Sequence, residues 1–392
     1  MHAVTTHLHD AVDLNDVARG DGYLFVRDGI GFAGRDIAAY VDADDAVALL
    51  NAITTDNQVG GAGTGPLAFG VLPFEPGAPA RFVVPAVVVG KRGDGTQWIT
   101  TIDGAEAVLS APAPLPCGAE FTVKPLVSVE TYLAAVTSVR DAVRSGLLTK
   151  AVIARSLVVS SSEAIDLHAV LLRLRTHFGS SYRFSIDGFV GASPELLVEV
   201  DGASVRSLPL AGTTPRTGDP ITDARLAQEL LASAKNQIEH RIVIDVVHDT
   251  LLPWASYLDW EPEPSIVAVA NVQHLGTRMQ GQLSQPRPDA ITLARALSPT
   301  PALGGYPRND ALALIRRVEG FSRGNYGGAV GWVDAAGNGT WAVAIRCAAF
   351  AADRRSAILC AGGGIVADSD PHSELAETQA KFQAMLSAII RP

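Results

Sequence analysis

The strongest constraint on the fold is how closely apolar β-type runs follow one another, with few helical stretches between them. After Lys150 the chain passes through a β-branched run at 151–159, a helical stretch at 166–178, and then strand-like segments at 182–189 and 195–200 joined through Gly191-Ala192-Ser193-Pro194. Asp201-Gly202 is a hairpin signal that leads into a further strand, because both residues tolerate the backbone that a two-residue turn needs. Later strands are predicted at 266–274, 327–333, 341–350 and 357–366. A parallel pair needs a long crossover, usually a helix, so strands this near in sequence pair antiparallel. The class that follows is α+β with antiparallel sheets, not a doubly wound parallel sheet.

Helices occupy the remaining positions. Ser128 is a cap for a helix whose Val129, Leu133, Val136, Val139 and Val143 recur at helical spacing until Gly146. Residues 223–251 form one long helix or two, closed by Pro253, and a last helix covers 372–390. Residues 1–125 read as short strands at 22–27, 66–73, 81–89 and 97–101, separated by loops such as Gly60-Gly61-Ala62-Gly63 and Ala111-Pro112-Ala113-Pro114.

Composition narrows the function classes. With 31 Lys+Arg against 41 Asp+Glu over 392 residues, the net charge is −10, and no basic run exceeds two residues, which argues against a nucleic-acid partner. Hydrophobic residues make up 47% and charged residues 18%, enough apolar material for a large core. A prior of about 150 residues per domain suggests two or three units, although one large sheet structure is also allowed. Mean hydropathy of +0.20 raises the question of a membrane span. The most apolar stretch, 82–90, is half the ~18 residues a spanning helix needs and contains Pro85. The amino terminus has acids and histidines where a secretory signal has a basic patch and an apolar block, so a cytoplasmic protein is expected. Cys117, Cys347 and Cys360 are widely spaced and read as buried thiols, not as a disulfide framework or zinc site.

Three groups of residues could carry chemistry. In the last helix, Glu374 and Glu377 leave one face and Lys381 follows at i+4, which suits a solvated salt bridge. Its position after the glycine turn Ala361-Gly362-Gly363-Gly364 suits a ligand site instead. Glu239 lies in a helix crowded with Ile238, Ile242, Val243 and Ile244, where a carboxylate is either part of an exposed polar stripe or bound to a cation. If Glu239 and Glu377 converge, they make a hard oxygen site suited to Mg²⁺. Lys150 and Glu195 each start an apolar strand. Both could be ordinary edge residues. Burial would instead lower the pKa of the amine and raise that of the carboxyl, giving one base and one acid.

The stretches Lys150-Ala-Val-Ile-Ala-Arg155, Gly191-Ala-Ser-Pro-Glu-Leu196, Pro209-Leu-Ala-Gly-Thr213, Lys235-Asn-Gln-Ile-Glu-His240, Pro299-Thr-Pro-Ala-Leu303, Gly327-Gly-Ala-Val-Gly331, Ala344-Ile-Arg-Cys347, Ala361-Gly-Gly-Gly-Ile365 and Glu374-Leu-Ala-Glu-Thr-Gln-Ala-Lys381 come in a characteristic order. Together they resemble the chorismate-utilising enzymes, the family of isochorismate, salicylate, anthranilate and aminodeoxychorismate synthases, over roughly residues 125–390. The isochorismate synthase branch is the most similar, with salicylate synthase the nearer competitor. Ser298 stands where isochorismate synthases commonly have His.

The resemblance implies an anthranilate synthase component I-like fold, with large antiparallel β-sheets packed together and helices outside. It implies a weakly matching β-rich subdomain at 1–125 and a chorismate-binding catalytic region at 126–392. It implies an isomerase in which Lys150 activates water and Glu195 protonates the leaving hydroxyl. Glu239 and Glu377, with Glu374 nearby, would bind Mg²⁺. Arg346 and Lys381 would receive a substrate carboxylate, and Gly212, Thr213, His274, Ala302, Gly362 and Gly364 would complete the pocket. Chorismate is the implied partner, with no glutaminase subunit, and a monomer is expected. A non-catalytic small-molecule-binding protein on the same fold is the alternative from another class.

Overall fold

The structure is a computed structural model and describes residues 1–111, 118–269 and 272–390. Its strands form a continuous hydrogen-bonded network of twenty, with a separate sheet of three. The network divides into two series. One runs through Thr54–Asn57, His2–His7, Gln97–Ile102, Arg81–Lys91, Ile30–Asp42, Tyr23–Arg27, Tyr182–Ile186, Phe189–Ser193, Cys347–Phe350, Ser356–Ile365, Lys150–Ser161 and Phe121–Pro125. All its neighbours are antiparallel except the first pair, and the short strand Gly305–Tyr306 also pairs with the start of Lys150–Ser161. The other runs through Leu67–Leu72, Ala329–Asp334, Gly339–Val343, Leu196–Asp201, Ser204–Leu208, Met279–Leu283 and Ala255–Trp260, all antiparallel. The single pairing of Phe69 with Val83 joins them.

Strand alternation explains why the two series stack. Every second side chain points to the same face, so each series presents aromatic residues to the other. Phe32 packs on Trp332 with ring centroids 4.6 Å apart, Phe82 on Trp341 at 5.4 Å and Tyr23 on Phe69 at 6.1 Å. The opposite face of the first series is covered by helices Leu14–Ala18, Leu167–Phe178 and Pro371–Ile390. Helices Val129–Arg144 and Arg308–Val318 pack near the start of Lys150–Ser161. Ser128 does cap the first of these, accepting from the Thr131 N–H. The α+β reading with outer helices therefore holds. Strands from before residue 125 pair with later ones, as at Val26 with Arg183 and Leu72 with Ala329. Among the described residues no helix is long and apolar enough to cross a membrane.

Several boundaries differ from expectation. The run 182–189 is a hairpin, Tyr182–Ile186 and Phe189–Ser193, turned at Asp187-Gly188, so Gly191-Ala192-Ser193 belongs to a strand and is not a connection. Residues 266–274 fall into two antiparallel strands, Ser265–Ala268 and Val272–Gly276, which with Leu210–Pro215 form the small sheet. Residues 341–350 break at Arg346, whose φ is 51°. The helical stretch 223–251 divides at Ser233 into Pro220–Ala232 and Ala234–Leu251. Gly362, Gly363 and Gly364 are no turn. They lie in strand Ser356–Ile365, paired with Ala154, Ile153 and Val152. Cys347 is a buried free thiol, Cys360 is half-buried, and Cys117 lies outside the described residues.

Candidate active site

The antiparallel pair Lys150–Ser161 and Ser356–Ile365 forms one wall of a cavity of about 240 Å³. With a period of two, Lys150 and Val152 of one strand and Gly362 and Gly364 of the other turn the same way, and all four line it. Helix Pro371–Ile390 contributes Glu374, Glu377 and Lys381, spaced three and four apart, and helix Ala234–Leu251 contributes Glu239. The small sheet supplies Gly212, Thr213 and His274, and the loop after Pro299 supplies Ala302. Glu195 and Arg346 complete the lining. Every residue given a catalytic, substrate or metal role from the sequence thus borders one cavity. Ser298 does not; its carbonyl accepts from Arg308.

Glycine at 364 makes the cavity possible. A Cβ there would sit 2.6 Å from Lys150 Cε and 2.7 Å from Glu239 Oε1. Lys150, 1% exposed, instead extends past the glycine and forms an ion pair with Glu239. This contact joins two residues to which sequence reading gave separate tasks, base and metal ligand. The contact engages Oε1 of Glu239 and does not use its second carboxylate oxygen.

Glu195 follows Pro194 at the end of strand Phe189–Ser193 and is 3% exposed. Burial pushes its carboxyl up to about 8, against the opposing pull of the Leu210 N–H, Lys150 and Arg346. The Leu210 N–H donates to Oε1 at 3.3 Å. A carboxyl kept protonated near neutral pH is a proton donor.

Positive charge gathers on another wall. The backbone break at Arg346 turns its guanidinium inward, where Nη2 is buried without a hydrogen-bond partner. Lys381 Nζ donates to the Gly362 carbonyl at 2.8 Å and pairs with Glu377 at 2.5 Å. The i+4 salt bridge therefore forms, but at the cavity and not on a solvated face. His274 Nδ1 lies 3.2 Å from the Gly212 carbonyl and 3.0 Å from Thr213 Oγ1. A carbonyl only accepts, so Nδ1 carries the proton and Nε2 remains an acceptor with no partner. Burial, reinforced by Arg346 and Lys381, lowers this imidazole to about 3 and keeps it neutral. Gly212 has φ +74°, which a residue with a Cβ rarely adopts.

The carboxylates decide whether Mg²⁺ would fit. Glu374 is buried, with Oε1 accepting from Ser369 Oγ at 2.8 Å and Oε2 left without a partner. Burial, and then the neighbouring Glu377, raise it to about 7. Burial also acts upward on Glu377, but Lys381, and after it Arg346, hold it below the usual carboxylate value. An orphaned carboxylate oxygen beside a second carboxylate is a hard-oxygen set that a small divalent cation would satisfy, and Mg²⁺ takes only one or two protein carboxylates. Glu374 and Glu377 fit this description. Among the described residues no three such groups converge into a ready-made metal cluster.

Lys235 and Asn236, quoted within a motif but given no role, and Tyr326 also line the cavity. The first two precede Glu239 by four and three residues on one helix, so helical spacing was the signal that could have found them. Tyr326 is a buried residue in the glycine turn before Gly327, and adjacency to that turn was its only mark.

Comparison with known proteins identifies the family. A profile described as chorismate binding enzyme matches residues 82–390. Isochorismate synthase DhbC of Bacillus subtilis is 40% identical over 335 residues, covering 83% of this chain and 81% of its own. The vibriobactin-specific isochorismate synthase of Vibrio cholerae is 36% identical, with 82% and 79% covered. The structure of MenF, the menaquinone-specific isochorismate synthase of Escherichia coli, shares the fold at TM-score 0.84 and 23% identity, covering 98% of this chain and 94% of its own.

Proposed function

The chain belongs to the chorismate-binding enzyme family, and from that premise we propose that it is an isochorismate synthase, moving the ring hydroxyl of chorismate from carbon 4 to carbon 2. The observation that carries this reading is Glu195, a buried carboxyl raised to about 8, in one cavity with the amine of Lys150.

Lys150 takes a proton from water as the oxygen attacks carbon 2, and Glu195 gives a proton to the hydroxyl leaving carbon 4. Both ring double bonds shift, from carbons 1–2 and 5–6 to carbons 1–6 and 4–5, so one water enters, one leaves, and no covalent bond to the enzyme forms. Lys150 must first shed its own proton, and Glu239, in direct contact with Nζ, is the carboxylate placed to take it. Arg346 and Lys381 receive the carboxylate of the enolpyruvyl arm, the first as a planar fork, the second as a point charge. Thr213 and His274 close the pocket around the ring. When bound, Mg²⁺ held by Glu239 and Glu377, with Glu374 nearby, would neutralise and position the ring carboxylate. The product would feed menaquinone or siderophore synthesis.

General acid and base catalysis contribute about 10²- to 10⁴-fold, and orientation in a closed cavity adds to this without an organic cofactor. The test is incubation of the purified protein with chorismate and Mg²⁺, with products separated by chromatography. Isochorismate, in equilibrium with remaining chorismate, is expected. Accumulation of salicylate and pyruvate would replace this reading with salicylate synthase, and binding without turnover would replace it with a non-catalytic chorismate-binding protein.

A further inference from the structure

On the helix-bearing face of the first strand series lies a second cavity, of about 590 Å³, between the amino-terminal segment and the turn after helix Leu167–Phe178. It shares no lining residue with the candidate active site. Arg183 lines it and is 1% exposed. Strand alternation puts it there: Tyr182 and Phe184 enter the aromatic core, so Arg183 between them is directed to the other face.

The partners of this guanidinium are few. Nη1 donates to Asn15 Oδ1 at 2.7 Å, and Nε is buried with no partner. Among the described residues no carboxylate forms an ion pair with it. The nearest acid is already engaged: Asp13 accepts from Asn15 Nδ2 at 2.6 Å and forms an ion pair with Arg175. Asp28 reaches Arg27, at 3.6 Å. Lys91 donates only to the Val12 carbonyl, at 2.5 Å. The lining therefore holds three cations, Lys91, Arg175 and Arg183, against Asp13 and Asp28, in a chain of net charge −10. Burial, and then Arg175, lower the Arg183 guanidinium only to about 10, so it stays charged at neutral pH. Asp13 and Asp28 oppose this at a distance but neither forms an ion pair with it; a buried cation without a paired carboxylate is costly to the fold, and a bound anion lowers that cost.

We propose that this cavity binds a small organic anion, whose carboxylate or phosphate group accepts from the Arg183 guanidinium while its apolar body lies against Val12, Leu14 and Val26. Arg175 and Lys91 stand at the same cavity to add charge. The proposal is independent of the reaction assigned to the other cavity.

Titration calorimetry of the full chain with benzoate and, separately, phenyl phosphate tests it against Arg183→Met, which keeps length and removes charge. At least one probe binds the wild-type chain, and Arg183→Met loses at least tenfold of that affinity with an unchanged circular dichroism spectrum. The tighter probe identifies the head group as carboxylate or phosphate. Heat from the active-site cavity is common to both proteins and cancels in the comparison. Equal affinities in the two proteins, or no binding of either probe by the wild type, would overturn the proposal. Should Arg183→Met not fold, Lys91→Ala carries the same test at a several-fold loss, and unchanged binding there overturns it equally.

Discussion

Two buried ion pairs hold the first residues of strand Lys150–Ser161, and they differ in what is left unsatisfied. In Glu319 with Arg323 both side chains are 2% exposed. Glu319 also accepts from the Ala154 N–H at 2.7 Å, and Arg323 donates to the carbonyls of Val152 and Leu303 at 2.7 and 2.8 Å. Its bonds run inward, tying the strand to the loop that carries Ala302. In Lys150 with Glu239 the amine is as buried, but the pair borders a cavity. A saturated pair fixes structure, whereas a pair at a cavity keeps a proton to exchange.

The comparison can be broken most sharply at the reacting groups. Lys150→Ala and Glu195→Gln should each lower kcat by about 10²- to 10⁴-fold with the fold retained, because each removes one proton-transfer partner. Steady-state rates alongside circular dichroism check this, and near-wild-type turnover in either would end the acid and base assignment. Arg323→Met should do the reverse. Leaving Glu319 buried and unpaired should cost about 3–5 kcal/mol of stability in urea denaturation, with kcat within about tenfold of wild type wherever the protein is folded.

Gly364→Ala sharpens the contrast without touching a charge. Its backbone accepts alanine, but the new Cβ displaces Lys150, and a misplacement of about 1 Å costs on the order of 10²-fold in turnover. Thermal unfolding should shift little, and unchanged kinetics would show that the cavity tolerates the methyl group. The smallest effect is in pH. Glu195 acts as an acid only while protonated, so kcat/KM should fall tenfold per unit above about pH 8. The sign for stability is the same: with its folded pKa raised above the ordinary 4.5 of a glutamate, Glu195 stabilises most below that value, and the contribution is lost as pH rises to about 8. A flat rate profile from pH 7 to 10 would contradict this.

Much of the site could be read along the chain because its motifs are contiguous. Glu374, Glu377 and Lys381 share a helix face by spacing alone, and Lys150 and Glu195 each precede an apolar run. Boundaries were less legible where an apolar run hid a turn. Asp187-Gly188 carries the same signal as Asp201-Gly202, yet Phe189 continues the hydrophobic pattern across it, and the turn was read three residues too late. The break at Arg346 had no local mark, because Ala344 and Ile345 suit a strand as well as a bend.

The sequence by itself determined the antiparallel class, the helical stretches and the residues with chemical potential, since alternation, helical spacing and motif order are local properties. Only the tertiary structure decided that Lys150 meets Glu239, that Glu374 keeps an oxygen without a partner, and that Arg183 is buried with its Nε unpartnered. Those facts depend on distance and burial between segments far apart in the chain, and burial is what turns an ordinary carboxyl or guanidinium into a reactive or ligand-seeking group.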